Sequence, residues 1–120
     1  MAAKKRLVCE PHGDVTIVNF TDRKILDELN IKEIGDELFD LVDKHGKKSI
    51  LINFSNVEYL SSAALGKLIT LNKKMQAQRG RLKFCAISPT IIEVFQITKL
   101  DKFFDIHPTE ADALDAFQSS

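Results

Sequence analysis

Two cysteines, three prolines and five glycines are all that 120 residues hold of these types. Cys9 and Cys85 stand far apart, and neither belongs to a Cys-x-x-Cys pair. That spacing supports neither a zinc site nor a disulfide framework. Each lies in an apolar stretch with strand character, so both are expected to be buried, inert thiols. Sparse Gly and Pro, with 44% hydrophobic and 28% charged residues, excludes a low-complexity or disordered chain. No apolar run approaches the length of a membrane span. Met1 to Arg6 leads into no long apolar segment, so no signal peptide is expected and the reading is cytoplasmic. Seventeen basic and seventeen acidic side chains cancel. The chain therefore lacks a broad field for nucleic acid or an anionic membrane. Lys4-Lys5-Arg6 is the one basic run, read as a solubilising tail with residues 1–5 flexible.

What is present is enough for one domain, 1–120, with a core that needs no metal or disulfide. Leu7 to Glu10 and Val15 to Phe20 read as two strands of a hairpin, with Pro11-His12-Gly13-Asp14 as its loop. Thr21 to Asn30 reads as a loop with a few apolar anchors. Ile31, Ile34, Leu38, Leu41 and Val42 then fall at helical spacing, with Glu33, Asp36, Glu37 and Asp40 on the opposite face. Lys44-His45-Gly46 ends that helix.

Ser49 to Phe54 is a buried strand and Asn56 to Leu60 a connector. A second helix runs from Ser62 to Gln78, with Leu65, Leu68, Ile69, Asn72 and Met75 on its inner face. Leu82 to Ile87 is another strand. Ser88-Pro89 opens a short helix whose apolar set is Ile91, Ile92, Val94 and Phe95. Phe103 to Ile106 reads as a last strand. Thr109, with Asp112 three residues on, caps a last helix that ends near Phe117. Strands alternating with helices predict an α/β domain. Its sheet should be mixed, mostly parallel and of four to five strands, with helices mainly on one side.

The informative stretch is Leu51-Ile52-Asn53-Phe54-Ser55, followed by the connector to Leu60, then Ser61-Ser62-Ala63-Ala64-Leu65-Gly66-Lys67. It resembles the signature of the STAS family, anti-sigma factor antagonist type. In that family an Asp-x-Ser turn closes a strand, and Asp-Ser-Ser-Gly-Leu-Gly opens the following helix. Element order and length match as well, so the resemblance spans essentially the whole chain. It implies a non-enzymatic regulator of transcription that works by partner switching. The antagonist binds an anti-sigma factor that is also a serine kinase. Phosphorylation of a serine at the helix start breaks that complex, and a serine phosphatase restores it. Aligned on Leu65-Gly66, Ser62 matches the first serine, and Ala63 stands where the usual phosphoacceptor would be. Ser61 and Asn53 replace the two aspartates, and Ala64 replaces a glycine. The switch is then carried by Ser62, with Ser61 second, or it is lost. The alternative implied is an unphosphorylated STAS module in a sensory assembly or transporter complex.

The residues support a site here without the family. Serine before an amphipathic helix caps amide groups that have no helical partner, contributing on the order of 1 kcal/mol. The same helix start tolerates a phosphate, which adds roughly −1.5 to −2 charges. Expected partner-binding residues are Ser61, Ser62, Ala63, Ala64, Gly66 and Lys67. Asp22 and Arg23 join them from the loop that flanks the serines in STAS proteins. Ala64 and Ala63 read first as close packing on the sheet, and Gly66 as the mark of a close contact.

His12, His45 and His107 occupy separate turns, so no metal is expected. No Gly-x-Ser-x-Gly elbow and no phosphate-binding Gly-rich loop occurs, so neither catalysis nor a cofactor has motif support. The expected state is a monomer or weak dimer.

Overall fold

A computed structural model describes residues 6–119. The expected tail, residues 1–5, lies outside the described residues. The elements run β1 (Leu7–His12), β2 (Val15–Phe20), β3 (Lys24–Ile25), α1 (Glu28–Asp43), β4 (Ser49–Asn53) and β5 (Tyr59–Leu60). They continue with α2 (Ser62–Ala77), β6 (Arg81–Cys85), α3 (Pro89–Ile97), β7 (Asp105–His107) and α4 (Glu110–Ser119). Five strands form one sheet in the order β1-β2-β4-β6-β7. Only the β1–β2 pair is antiparallel.

The hairpin is longer than its turn residues imply. Register runs from Leu7 opposite Phe20 to His12 opposite Val15, so Pro11 and His12 are strand residues. The turn is Gly13-Asp14 alone. Gly13 has φ +62, the left-handed value that a two-residue hairpin with glycine first requires. Proline is tolerated because β1 is an edge strand.

Alternation divides the sheet into two faces. Val18, Phe20, Ile50, Ile52, Leu82 and Phe84 pack with apolar residues of α1, α2 and α3. Ile17, Leu51 and Cys85 face the other way, under Ala113 and Phe117 of α4. Three helices thus cover one face and one covers the other. Ring contacts run through the larger core, from Phe20 to Phe54 at 5.4 Å, Phe54 to Phe84 at 5.1 Å and Phe84 to Phe104 at 4.6 Å.

Caps fix the helix ends. Ser88 accepts the amide of Ile91 at 3.4 Å, with Pro89 just inside α3. Thr109 accepts the amide of Asp112 at 3.1 Å ahead of α4. After α1, Gly46 takes φ +59 and its amide returns to the carbonyl of Val42.

Several expectations are corrected. Cys9 is exposed, because β1 buries only Leu7; Cys85 alone is the buried thiol. Phe103 and Phe104 belong to the turn before β7, not to the strand. Phe104 donates its amide to Leu100 and drives its ring into the core. In α3 the inward set is Ile91 and Phe95, while Val94 faces outward. Arg6 is no solubilising residue. Its side chain is 15% exposed and pairs with Asp22 and Glu33. The segments 21–30 and 56–60, read as irregular, contain β3 and β5, which pair in parallel as a second, two-stranded sheet.

Candidate functional site

The chain leaves β4 through an Asx turn. Asn53 Oδ1 accepts the amide of Ser55 at 2.8 Å. An aspartate would accept the same bond. The asparagine also donates, from Nδ2 to Glu110 Oε1 at 3.0 Å, and so ties the turn to the first residue of α4. Asn56 donates to the carbonyl of Phe20 at 3.0 Å and holds the connector against the end of β2.

The connector then pairs with the loop after β2. Arg23 O accepts the amides of Glu58 at 2.7 Å and Tyr59 at 3.3 Å. Ile25 O accepts the amide of Ser61 at 3.1 Å. Ser61 is extended, with φ −80 and ψ 164, and caps α2: its hydroxyl accepts the amide of Ala64 at 3.2 Å. Its carbonyl accepts the amide of Leu65, the first helical bond. The amides of Ser62 and Ala63 precede that bond and are unclaimed by the helix. Ser62 is exposed, and its hydroxyl makes no hydrogen bond among the described residues. One serine is therefore occupied and the next is available.

The remaining expected residues divide. Ala63 is exposed and Ala64 is buried against the core. Gly66 is exposed, and a Cβ there would meet nothing within 4 Å, so no close contact accounts for this glycine. The close contact is at Gly35, where a Cβ would stand 2.8 Å from Cδ of Lys67. Lys67 lies back across α1, with Nζ 5.9 Å from the centre of the Phe39 ring. Asp22 is held by Arg6 at 3.2 Å. Arg23 pairs with Glu58 at 2.8 Å, both side chains well exposed.

Sequence reasoning missed the apolar part of this surface. Leu26, Tyr59, Leu60, Ile91 and Val94 line a groove of about 120 Å³ that reaches Leu60, two residues before α2. Leu29 and Ile97 are also exposed, Ile97 at 81%. The available signal was α3 itself. Its nine residues carry five apolar side chains, more than one face of so short a helix can bury. Among the described residues no cluster of His, Cys, Asp and Glu is arranged to hold a metal. Among the described residues no helix is long and apolar enough to cross a membrane.

The STAS domain family model matches residues 7–113. The chain belongs to the STAS domain family. A relative, BtrV of Bordetella bronchiseptica, bears the name of a candidate anti-sigma factor antagonist. It is 26% identical over 96 residues, covering 80% of this chain and 82% of the relative. An anti-sigma factor antagonist structure from Mycobacterium paratuberculosis is 26% identical with a TM-score of 0.80. The match covers 92% of this STAS chain and 91% of that one. SpoIIAA from Bacillus, solved in its phosphorylated form, shares the fold at a TM-score of 0.70 and 20% identity. There the match covers 92% of this chain and 98% of SpoIIAA.

Proposed function

We propose that this STAS domain is an anti-sigma factor antagonist that regulates transcription in the cytoplasm by partner switching. Its partner is an anti-sigma factor with serine-kinase activity. The observation that carries the reading is the division of labour at α2: Ser61 is spent on the cap, while Ser62 presents an unengaged hydroxyl. Ser62 is the proposed phosphoacceptor and Ser61 the second candidate.

The surroundings suit a protein partner. Leu26, Tyr59 and Val94 supply exposed apolar area around the segment that leads into α2, and the pair Arg23–Glu58 supplies a polar rim. Interfaces with an apolar centre and a polar edge have this composition. Ser61, Ala63, Ala64, Gly66, Lys67 and Asp22 complete the proposed docking region. Ala63 offers close approach; Ala64, Lys67 and Asp22 act through packing and support.

The switch follows from charge. A phosphate on Ser62 sits at the positive end of α2, near two unclaimed amides, so the fold tolerates it. A partner packed over that helix start would have to desolvate about two negative charges. A few kcal/mol lost there lowers affinity by roughly two orders of magnitude or more. A phosphatase would restore binding.

The test is native capture followed by chemistry. Pull-down from the source cell recovers a kinase-type ATPase. Incubation with that ATPase and ATP then puts phosphate on the peptide containing residues 61–62. Recovery of transporter subunits or a large sensory assembly instead, with no phosphate on that peptide, supports an unphosphorylated interaction module and ends the switch reading.

A further inference from the structure

The loop that flanks Ser61 is anchored from a distance. Arg6, ahead of β1, donates from Nη1 to Asp22 at 3.2 Å and from Nη2 to Glu33 of α1 at 3.3 Å. Its own amide donates to Glu37 Oε2 at 2.7 Å. Its carbonyl accepts both the amide and the hydroxyl of Thr21, at 3.0 and 3.2 Å. One residue thus fastens both ends of the Thr21-Asp22 step. Three carboxylates, Asp22, Glu33 and Glu37, face it, and among the described residues no other side chain forms a salt bridge with them.

The consequence reaches the serines through main chain. Asp22 precedes Arg23, whose carbonyl takes the amides of Glu58 and Tyr59. Two residues further on, Ile25 is 1% exposed and anchors itself in the core. The β3–β5 ladder therefore has two independent supports. Ile25 secures the end that bonds Ser61, and Arg6 secures the end that bonds Glu58 and Tyr59. With only two paired positions, the ladder has no length from which to draw further stability.

We propose that Arg6 is a positioning residue for the docking surface. By holding Asp22 it keeps the carbonyl of Arg23 under Glu58 and Tyr59, and so sets the position of the Tyr59 ring and the Arg23–Glu58 rim beside Ser62. The docking part of this statement rests on the proposed function; the positioning part does not.

The experiment is amide hydrogen exchange on the full chain carrying Arg6→Gln, read residue by residue. Protection at Glu58 and Tyr59 falls about tenfold, because a charge-assisted bond to the loop is gone. Protection at Ser61, Ala64 and Phe84 stays within about twofold, since Ile25, the Ser61 cap and the core are untouched. Arg6→Lys, which keeps one ion pair, recovers part of the loss. Asp22→Asn, which leaves Arg6 paired with Glu33, reproduces the local pattern and decides the matter if Arg6→Gln does not fold. Unchanged exchange at Glu58 and Tyr59, or a uniform rise that includes Phe84, overturns the positioning role. With the captured ATPase as probe, Arg6→Gln binds about tenfold more weakly while wild type binds well. A wild type that captures no ATPase removes the docking reading and leaves the exchange result standing.

Discussion

The hydroxyl of Ser61 accepts the amide of Ala64 at 3.2 Å and closes the first turn of α2, a duty from which the neighbouring Ser62 is free. The two serines should therefore separate cleanly by mutation. Ser61→Ala leaves an orphan amide and costs about 1 kcal/mol. Ser62→Ala, at an exposed first position, stays within about 0.5 kcal/mol of wild type. Urea midpoints at unchanged m-value check both. Equal losses at the two positions would show that the cap is shared.

A charge at Ser62 separates folding from docking. Ser62→Glu puts a carboxylate at the positive end of α2, where it is neutral to mildly stabilising, by up to about 1 kcal/mol. The same change should abolish capture of the kinase-type ATPase. A variant that folds with wild-type stability and still captures the ATPase would contradict the switch.

The packing of α1 on α2 yields a third expectation. A Cβ at Gly35 would sit 2.8 Å from Cδ of Lys67, the middle of a flexible side chain. Gly35→Ala gains helix propensity of about 1 kcal/mol but displaces Lys67 from Phe39. The two effects nearly offset. With Lys67→Ala as background, the clash disappears and Gly35→Ala becomes stabilising by about 1 kcal/mol. A double-mutant cycle in urea measures this coupling, and additivity would mean the contact has no energetic weight.

These contrasts mark how far the sequence could be read. Helix α1 was legible because Ile31, Ile34, Leu38, Leu41 and Val42 repeat at 3.6 residues, and the parallel strands because each is a short apolar run between helices. The pairing of Lys24-Ile25 with Tyr59-Leu60 was not. Two-residue strands are too short to have a period, and their partner lies 35 positions away (Lys24 to Tyr59). Cys9 was misread because hydrophobicity marks a strand but not whether a neighbour covers it, and β1 is an edge. Arg6 was misread for a related reason: its carboxylate partners are brought to it only by folding. At the site, the position of Ser61 and Ser62 at the helix start was readable. The groove was not, because it is shared by α3, β5 and Leu26 just past β3, segments distant in the chain.

The two cysteines should differ in reactivity and in pH response. Burial first, and the nearby Glu110 carboxylate second, push the Cys85 thiol up to about 12 from 9.0. Iodoacetamide at pH 8 should label Cys9 in the folded protein and spare Cys85 until the chain unfolds. Linkage gives the sign. Above pH 9 the unfolded thiol loses its proton and the folded one keeps it, so the unfolded state binds fewer protons. Stability from this group is complete below pH 9 and is lost as pH rises from there toward 12. Cys85→Ala should flatten that part of the stability curve, and an unchanged slope would assign the loss to other groups.

Beneath α4, Lys83 is 8% exposed on the sheet, paired with Asp105 at 2.5 Å, and its Nζ lies 5.2 Å from the centre of the Phe117 ring. Asp105 is half exposed and also lies 2.8 Å from Nε2 of His107. The pair is thus asymmetric: the cation is buried and the anion is half exposed. Removing the buried member costs little, because methionine replaces the lysine stem against Phe117 and Asp105 returns to solvent. Removing the exposed member is the more damaging change, because among the described residues the buried ammonium then keeps only its contact with the Phe117 ring. Asp105→Ala should cost about 1–3 kcal/mol, the penalty of an unsatisfied buried donor. Lys83→Met should lie within about 1 kcal/mol of wild type. Thermal or urea unfolding of the two variants side by side checks the order. The reverse order would mean that Lys83 reaches water when its partner is lost, and that α4 lifts from the sheet more readily than its packing implies.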